Sequence, residues 1–474
     1  MKLVNLKAAF FLLSFTTSSA SLAEEAVNNS DDFSTYFPTY LSAYFSDSYA
    51  EYFSAVLKQQ SAYGIKDSSA QESSFQKKEW QQNEWQFDLE YNNSIDSGPF
   101  AGDLVAIMRA RYDFQDQLEG KTGNTLRMRE LYWQRYGDNS FWQIGKQQVV
   151  WGEADGIKLL DVINPQSFRE FILDDVDDSR IPLWMLNAQL NTSDSGMLQL
   201  LIIPDTSTHE LTESGSIYQL TSPVIVPTID ADSLEKLGVS KVTIKEKSHA
   251  PDGDFGIRYS DFIDVLDSAW DISLNYLYHY VDTPVIRNHI DNEMLIVDYQ
   301  FEPSHLIGGS ASTVISDFIL RTEVAYETDR YQRAEETIEQ LEITIPSVLK
   351  GDTFSSVLGI DYQGLTDNFI SMQWYRQTLL LNKADLQQAI ANRDEDRLTL
   401  LWETKFLNET LTTRWQHIHG INHNDGTLRP KVIYNWQSNI DVYLGADYFY
   451  GNSEDFFGQF NKTDRIVAGF TIGI

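Results

Sequence analysis

The chain has no cysteine. Disulfides, thiolate metal sites and a lipid anchor on cysteine are therefore excluded. A cysteine-free chain also suits an exported protein that avoids oxidative cross-linking. Beyond the first few residues no window offers the ~20 apolar residues that a membrane helix needs, so a helical membrane protein is excluded. Basic residues are few, 36 Lys and Arg against 69 Asp and Glu, for a formal net charge of −33. Such acidity repels phosphate and excludes nucleic acid as a partner. No GxSxG elbow, HExxH motif or phosphate-cradling glycine loop is present. No catalytic residue and no cofactor is therefore expected, and the chain is read as a non-enzyme.

What is present begins at the first residues. Lys2 and Lys7 precede a short apolar run, Ala8 to Phe15, and Ser21-Leu22-Ala23 sets small residues before Glu24. That is the layout of a secretory signal peptide over residues 1–23. Aromatic residues make up 13% of the chain, with 24 Tyr, 26 Phe and 11 Trp. Membrane barrels place such residues in girdles at both interfaces.

Residues 24–82 are set apart by a three- and four-residue period. Phe37, Leu41, Tyr44, Phe45, Tyr49, Phe53, Val56 and Leu57 form an aromatic stripe that predicts an amphipathic helix fading near Gly64. Residues 66–82 are polar and read as a linker. The segment is expected to plug the barrel or to dock a periplasmic partner.

From residue 83 the period is two. Trp85, Phe87, Leu89 and Tyr91 alternate with Gln86, Asp88 and Glu90. Similar runs surround Met108, Leu186 and Leu274, each about as long as a tilted strand that crosses a bilayer. Tight turns fall at 136–139, 364–367, 407–409 and 437–439, and long connections at about 151–181, 205–253, 328–350, 380–393 and 451–462. Short turns at one end and long loops at the other are the barrel pattern. Ile466, Ala468, Phe470, Ile472 and Ile474 alternate to the last residue, though most such barrels end in Phe or Trp. The expected fold is all-β: a closed antiparallel transmembrane β-barrel of about 16–18 strands over residues 83–474, in the bacterial outer membrane.

One passage is distinctive: Ile144-Gly145-Lys146-Gln147-Gln148-Val149-Val150-Trp151-Gly152-Glu153, then Leu160-Asp161-Val162-Ile163-Asn164-Pro165. It resembles the "GRQ-x-x-x-WGE … D-x-INP" passage of an uncharacterised bacterial outer-membrane barrel family, domain of unknown function 1302, with Lys146 where that family carries Arg. His305 to Ser310 and Leu320 to Tyr326 fit the same family. The chain is also similar, more remotely, to alginate-export porins. The family resemblance implies an outer-membrane barrel that moves lipid-like or other hydrophobic molecules, and it brings no catalytic residues.

Two charged sets are candidates for a constriction. Arg109 and Arg111 share a strand face, and Arg127, Arg129 and Arg135 share one on the next strand. An arginine at mid-membrane depth on a lipid face costs ~2–4 kcal/mol, so these should point inward. Inward parity then turns Glu130 and Gln134 outward, so that either they sit near an interface or the strand is bulged. The loop from Gly152 to Pro182 carries Asp174, Asp175, Asp177 and Asp178 beside apolar Phe168, Phe171, Ile172 and Leu173. The apolar cluster favours a loop packed into the lumen; a surface loop bridged to lipopolysaccharide by cations is the alternative. Lys146 and Glu153 complete the expected pore set. His417 and His419, two apart on the face of Trp415, have the spacing to hold a metal. As polar lumen residues they need none, and no metal site is expected.

The expected function is a channel or facilitator for a small or hydrophobic solute, with outer-membrane lipids and lipopolysaccharide as partners. The alternative is a structural or adhesive barrel acting through acidic extracellular loops. A barrel of 16 or more strands is too wide for its own side chains to fill, which favours transport.

Overall fold

The computed structural model describes residues 52–66, 79–115, 117–118, 124–154, 156–245, 250–265 and 268–474. The signal segment and the stripe from Phe37 to Tyr49 lie outside the described residues. The strands in chain order are β1 (Phe53–Gly64), β2 (Trp80–Ile95), β3 (Gly102–Asp113), β4 (Asn124–Tyr136), β5 (Ser140–Gln147), β6 (Leu183–Asn191), β7 (Met197–Ile203) and β8 (Lys241–Ile244). Then follow β9 (Asp254–Val265), β10 (Ser268–Tyr280), β11 (Val285–Asp291), β12 (Met294–Gln300), β13 (Pro303–Ile315), β14 (Phe318–Ile338) and β15 (Ile343–Tyr362). The last six are β16 (Asn368–Leu380), β17 (Asp394–Phe406), β18 (Leu411–Gly420), β19 (Asp425–Gln437), β20 (Ile440–Tyr450) and β21 (Arg465–Gly473).

Among the described residues eighteen strands make one antiparallel barrel, and β8, β11 and β12 form a separate three-stranded sheet. Closure comes from β1 against β21, in register from Val56↔Gly473 to Gly64↔Arg465. In lipid every backbone polar group must be paired within the protein, and closing the sheet removes the edges that would fail this test. The count falls within the expected range.

The first strand corrects the helical reading of residues 53–64. Phe53, Val56 and Leu57 satisfy a helical step, but this segment pairs with β21, and that gain overrides local periodicity. The barrel thus begins at Phe53, and β2 begins at Trp80, inside the stretch read as a linker. A second correction concerns the connection expected at 328–350. It is mostly strand, because β14 and β15 run on past the other strands as a long hairpin that turns at 339–342. The turn at Leu407-Asn408-Glu409 has three consecutive left-handed residues, with φ of 52°, 55° and 66°, as a tight reversal demands.

The outer face is apolar, with Leu274, Leu358, Leu444 and Trp415 exposed on it. The apolar core lies in the lumen, in two clusters. One joins Trp151, Leu159 and Leu160 of the 148–182 loop to wall residues including Met185, Leu201, Leu277 and Leu306. The other joins Phe171 and Leu173 to Tyr218, Phe449, Phe457 and Phe460. A stable closed barrel predicts a gel-mobility difference between unheated and boiled samples and sedimentation with outer membranes; recovery as a soluble monomer would contradict the fold.

Candidate functional site

The site is the lumen where the 148–182 loop crosses it. The loop leaves β5 at the expected motif, and the motif residues act as anchors. Trp151 is fully buried and donates its indole N–H to Gln199 Oε1 at 2.9 Å. The wall makes room for it: a Cβ on Gly256 would lie 2.7 Å from the Trp151 ring. Likewise a Cβ on Gly308 would lie 2.6 Å from Leu160. Asn164 accepts the Val149 N–H at 2.8 Å and donates to the carbonyls of Gln147 (3.3 Å) and Ile181 (2.9 Å). One amide thus ties both ends of the loop where β5 and β6 part.

Across the lumen, Glu323 of β14 accepts backbone N–H groups from Glu153, Ala154 (2.8 Å) and Leu160 (3.3 Å). Arg321 donates to the Glu153 carbonyl at 2.6 Å and pairs with Asp361 at 2.8 Å. A carboxylate held by several N–H donors is a strong, directional anchor. Replacing Glu323 by Gln should cost about 1.5–3 kcal/mol of loop anchoring. The expected result is faster proteolytic cutting within 152–182 in an otherwise folded barrel; equal cutting would show that the anchor is dispensable.

The acidic half of the loop meets the arginine wall. Asp178 pairs with Arg109 (2.6 Å) and Lys58 (2.5 Å), and Arg109 also holds Asp88 at 2.7 Å. Burial opposes ionisation of Asp178, yet Arg109 and Lys58 hold its carboxyl well below the usual carboxylate range. Asp174 lies 3.6 Å from Arg111, and burial pushes its carboxyl up. Arg129 donates to the carbonyls of Asp177 and Asp178, and Arg127 pairs with Glu210 of the following loop. Arg169 binds Glu84 of β2, while Glu170 takes Gln82 (2.8 Å) and Arg465 of β21 (3.2 Å). From β19, Arg429 reaches the Leu173 carbonyl at 2.6 Å. Asp175, Val176 and Asp177 stay exposed at the tip of the crossing; the Asp177 side chain is 88% accessible, although one of its oxygens meets Arg180. Lys431 lies within electrostatic reach of Asp175, its ammonium 4.0 Å from the Tyr443 ring centroid.

The second long loop straps the first. Phe168 N–H bonds to the Glu210 carbonyl, and Glu210 N–H to the Gln166 carbonyl. His209 accepts the Gln166 N–H through Nδ1 at 2.9 Å. Burial pushes His209 down to about 3, which keeps it neutral and able to accept.

Of the residues expected at a constriction, Arg109, Arg111, Arg127, Arg129, Glu153, Asp174, Asp175, Asp177 and Asp178 converge in the lumen. Two do not. A bulge between Met128 and Glu130 inserts Arg129 as an extra residue opposite Ile107 and Met108. It reverses the parity of β4 below that point, so Glu130 and Gln134 face inward and Arg135 falls on the outer face, opposite Trp142. Lys146 is opposite Leu131 and Trp184 and is likewise outside, with Nζ 3.2 Å from the Met128 carbonyl. His417 and His419 correct the lumen reading too: they share the outer face with Trp415, and both hydrogen-bond the Tyr450 hydroxyl at 2.8 Å.

Sequence reading missed Glu84, Asp88 and Glu323, which lie in alternating strands as ordinary lumen positions. It also missed Arg429 and Arg465, more than 250 residues from their loop partners, for which no local signal exists.

The sequence matches the family model described as "Protein of unknown function (DUF1302)" over residues 59–463. The chain belongs to this family. A comparison with curated proteins returns no match. Among solved structures, Pseudomonas aeruginosa OpdK with vanillate is similar at a TM-score of 0.50 and 10% identity, covering 90% of this chain and 99% of that one. Pseudomonas aeruginosa OccK3 (OpdO) is similar at 0.49 and 11%, with the same coverage. The likeness to OpdK concerns the fold alone, that of an outer-membrane barrel. The DUF1302 chain is an outer-membrane barrel.

Proposed function

We propose that the protein is an outer-membrane channel or facilitator for small or lipid-like solutes, and that the 148–182 loop sets what passes. The observation that carries this reading is the crossing itself. A loop pinned to β1, β2 and β3 on one side and β14 on the other leaves a short acidic tip exposed against a basic wall. Fixed charges of opposite sign across a narrow passage set a field that sorts solutes by charge. The ring of strands does not need such a pinned loop to stay joined, because β1 and β21 already pair along nine positions. The solute enters and leaves without a covalent step, so the reading needs no catalytic residue.

The paired and exposed carboxylates have separable roles. Asp175→Asn with Asp177→Asn removes exposed charge, including the Asp177 partner of Arg180, and leaves the Asp178 anchor and the Arg180–Asp161 pair. The cation-to-anion permeability ratio should fall about twofold or more, with little change in conductance; a steady field of one or two charges at close range has that magnitude. Asp178→Asn releases the Arg109 and Lys58 contacts and should add gating noise. Unchanged selectivity in the double variant, or labelling of the loop tip by impermeant reagents in whole cells, would move the loop to the cell surface. It would then favour the adhesive alternative.

A further inference from the structure

The wall has a notch. Pairing of β4 with β5 runs from Tyr136↔Phe141 up to Leu131↔Lys146 and stops. β4 itself continues to Asn124, paired with β3 as far as Tyr112↔Asn124. After Gln147 the chain turns inward to bury Val149 and Trp151. Residues Asn124 to Glu130 therefore have a backbone edge with no strand beside it among the described residues. At ~3.3 Å per residue that edge is about 23 Å long.

The edge lies at membrane depth. Leu126 and Met128 face outward and are 62% and 38% exposed. Their row sits below Tyr112 and Phe114, an edge-to-face aromatic pair at the loop end of the wall. Unpaired strand backbone cannot face hydrocarbon, because each unsatisfied group costs several kcal/mol; it persists at this depth only where it lines water or is covered by protein. Lys146 covers one carbonyl, that of Met128, and among the described residues no strand covers the rest.

The surroundings of the notch are two-natured. Lys146 forms no salt bridge among the described residues, and a lone cation on a lipid-facing wall is costly unless water or an anion meets it. Just inside stands Arg127, its side chain 56% exposed and paired with the half-exposed Glu210, which an incoming carboxylate would displace, with Arg129 below it. On the far side, Val150 and Trp184 are exposed apolar groups, and Trp151 lies buried behind them.

Resting on the channel reading above, we infer that the notch between β4 and β5 is a lateral opening through which an anionic amphiphile passes between the outer leaflet and the lumen. The tail stays against Leu126, Met128, Val150 and Trp184. The carboxylate head moves from Lys146 to Arg127 along the water-lined edge of β4. A neutral chain of the same length lacks the head that this cationic path receives.

Two measurements test this. Hydrogen–deuterium exchange of the unmodified protein in lipid nanodiscs should show peptides within 124–130 exchanging at least tenfold faster than those within 131–136. Equal protection of the two segments would overturn the opening. In proteoliposomes, the transfer gained over protein-free liposomes should be larger for hexadecanoate than for hexadecanol, and Lys146→Glu should cut the hexadecanoate gain more than fivefold while leaving hexadecanol unchanged. Lys146→Gln, with a smaller loss, guards against misfolding of the charge-reversed variant, and both must show the gel shift of a folded barrel. Equal transfer of acid and alcohol, or indifference to both substitutions, would overturn the proposal. Small-ion conductance, recorded in parallel, reports on the channel reading separately. A silent bilayer with hexadecanoate transfer intact would sink the channel and support the opening.

Discussion

Excising residues 167–179 and joining Gln166 to Arg180 through two glycines is expected to raise single-channel conductance severalfold. The join is geometrically undemanding, because Gln166 and Arg180 already face each other in an antiparallel bridge, with Ser167 N–H bonded to the Ser179 carbonyl at 2.7 Å. The motif anchors remain, since Trp151, Asn164 and the Arg180–Asp161 pair (2.8 Å) lie outside the excision. What leaves is the crossing: Arg169, Glu170 and the four aspartates, five carboxylates against one arginine. The lumen then loses four net negative charges and keeps Arg109, Arg111 and Arg465, so selectivity should move toward anions. Liposome-swelling assays with sugars of graded size should show a higher exclusion limit. An unchanged limit would mean that the crossing does not obstruct the path.

The second large effect concerns the start of the barrel. Removing residues 24–51 should leave a barrel that still shifts on an unheated gel. Removing 24–65 should give none. The second deletion takes β1, whose nine register pairs with β21 close the wall. Without it the facing edges of β2 and β21 are left unpaired in lipid. If instead 53–64 were the end of a plugging helix, both deletions would fold, and both would conduct more. Recovery of a heat-modifiable barrel from the longer deletion would overturn the placement of β1.

Legibility in the sequence followed physical locality. Runs such as Leu104 to Phe114 declared themselves because each side chain answers to lipid or lumen on its own, with a period of two. Segment 53–64 did not, since Phe53, Val56 and Leu57 fit a helical step and only the distant β21 makes it a strand. Asp174 and Asp178 were legible as partners of Arg109 and Arg111 because a loop with Phe168 and Phe171 needs somewhere dry to put them. The parity of β4 was not: the inserted Arg129 sends Arg135 outside, and one extra residue leaves only a weak trace in the pattern. Lys146 was misplaced for a related reason. It neighbours Gln147, which faces the lumen, and motif membership pointed to the pore, whereas strand alternation puts its own side chain outside. The role of Asn164 depends on carbonyls 17 residues away on both sides, which a motif displays but does not explain.

On the channel reading, water and solute pass beside the pinned loop of an intact barrel. Single-channel recording of the refolded full-length protein in a planar bilayer tests it most directly. The prediction is discrete conductance steps with cation preference, set by the exposed Asp175 and Asp177. A silent bilayer from protein whose gel shift proves it folded, and which stays silent after excision of residues 167–179, would contradict it.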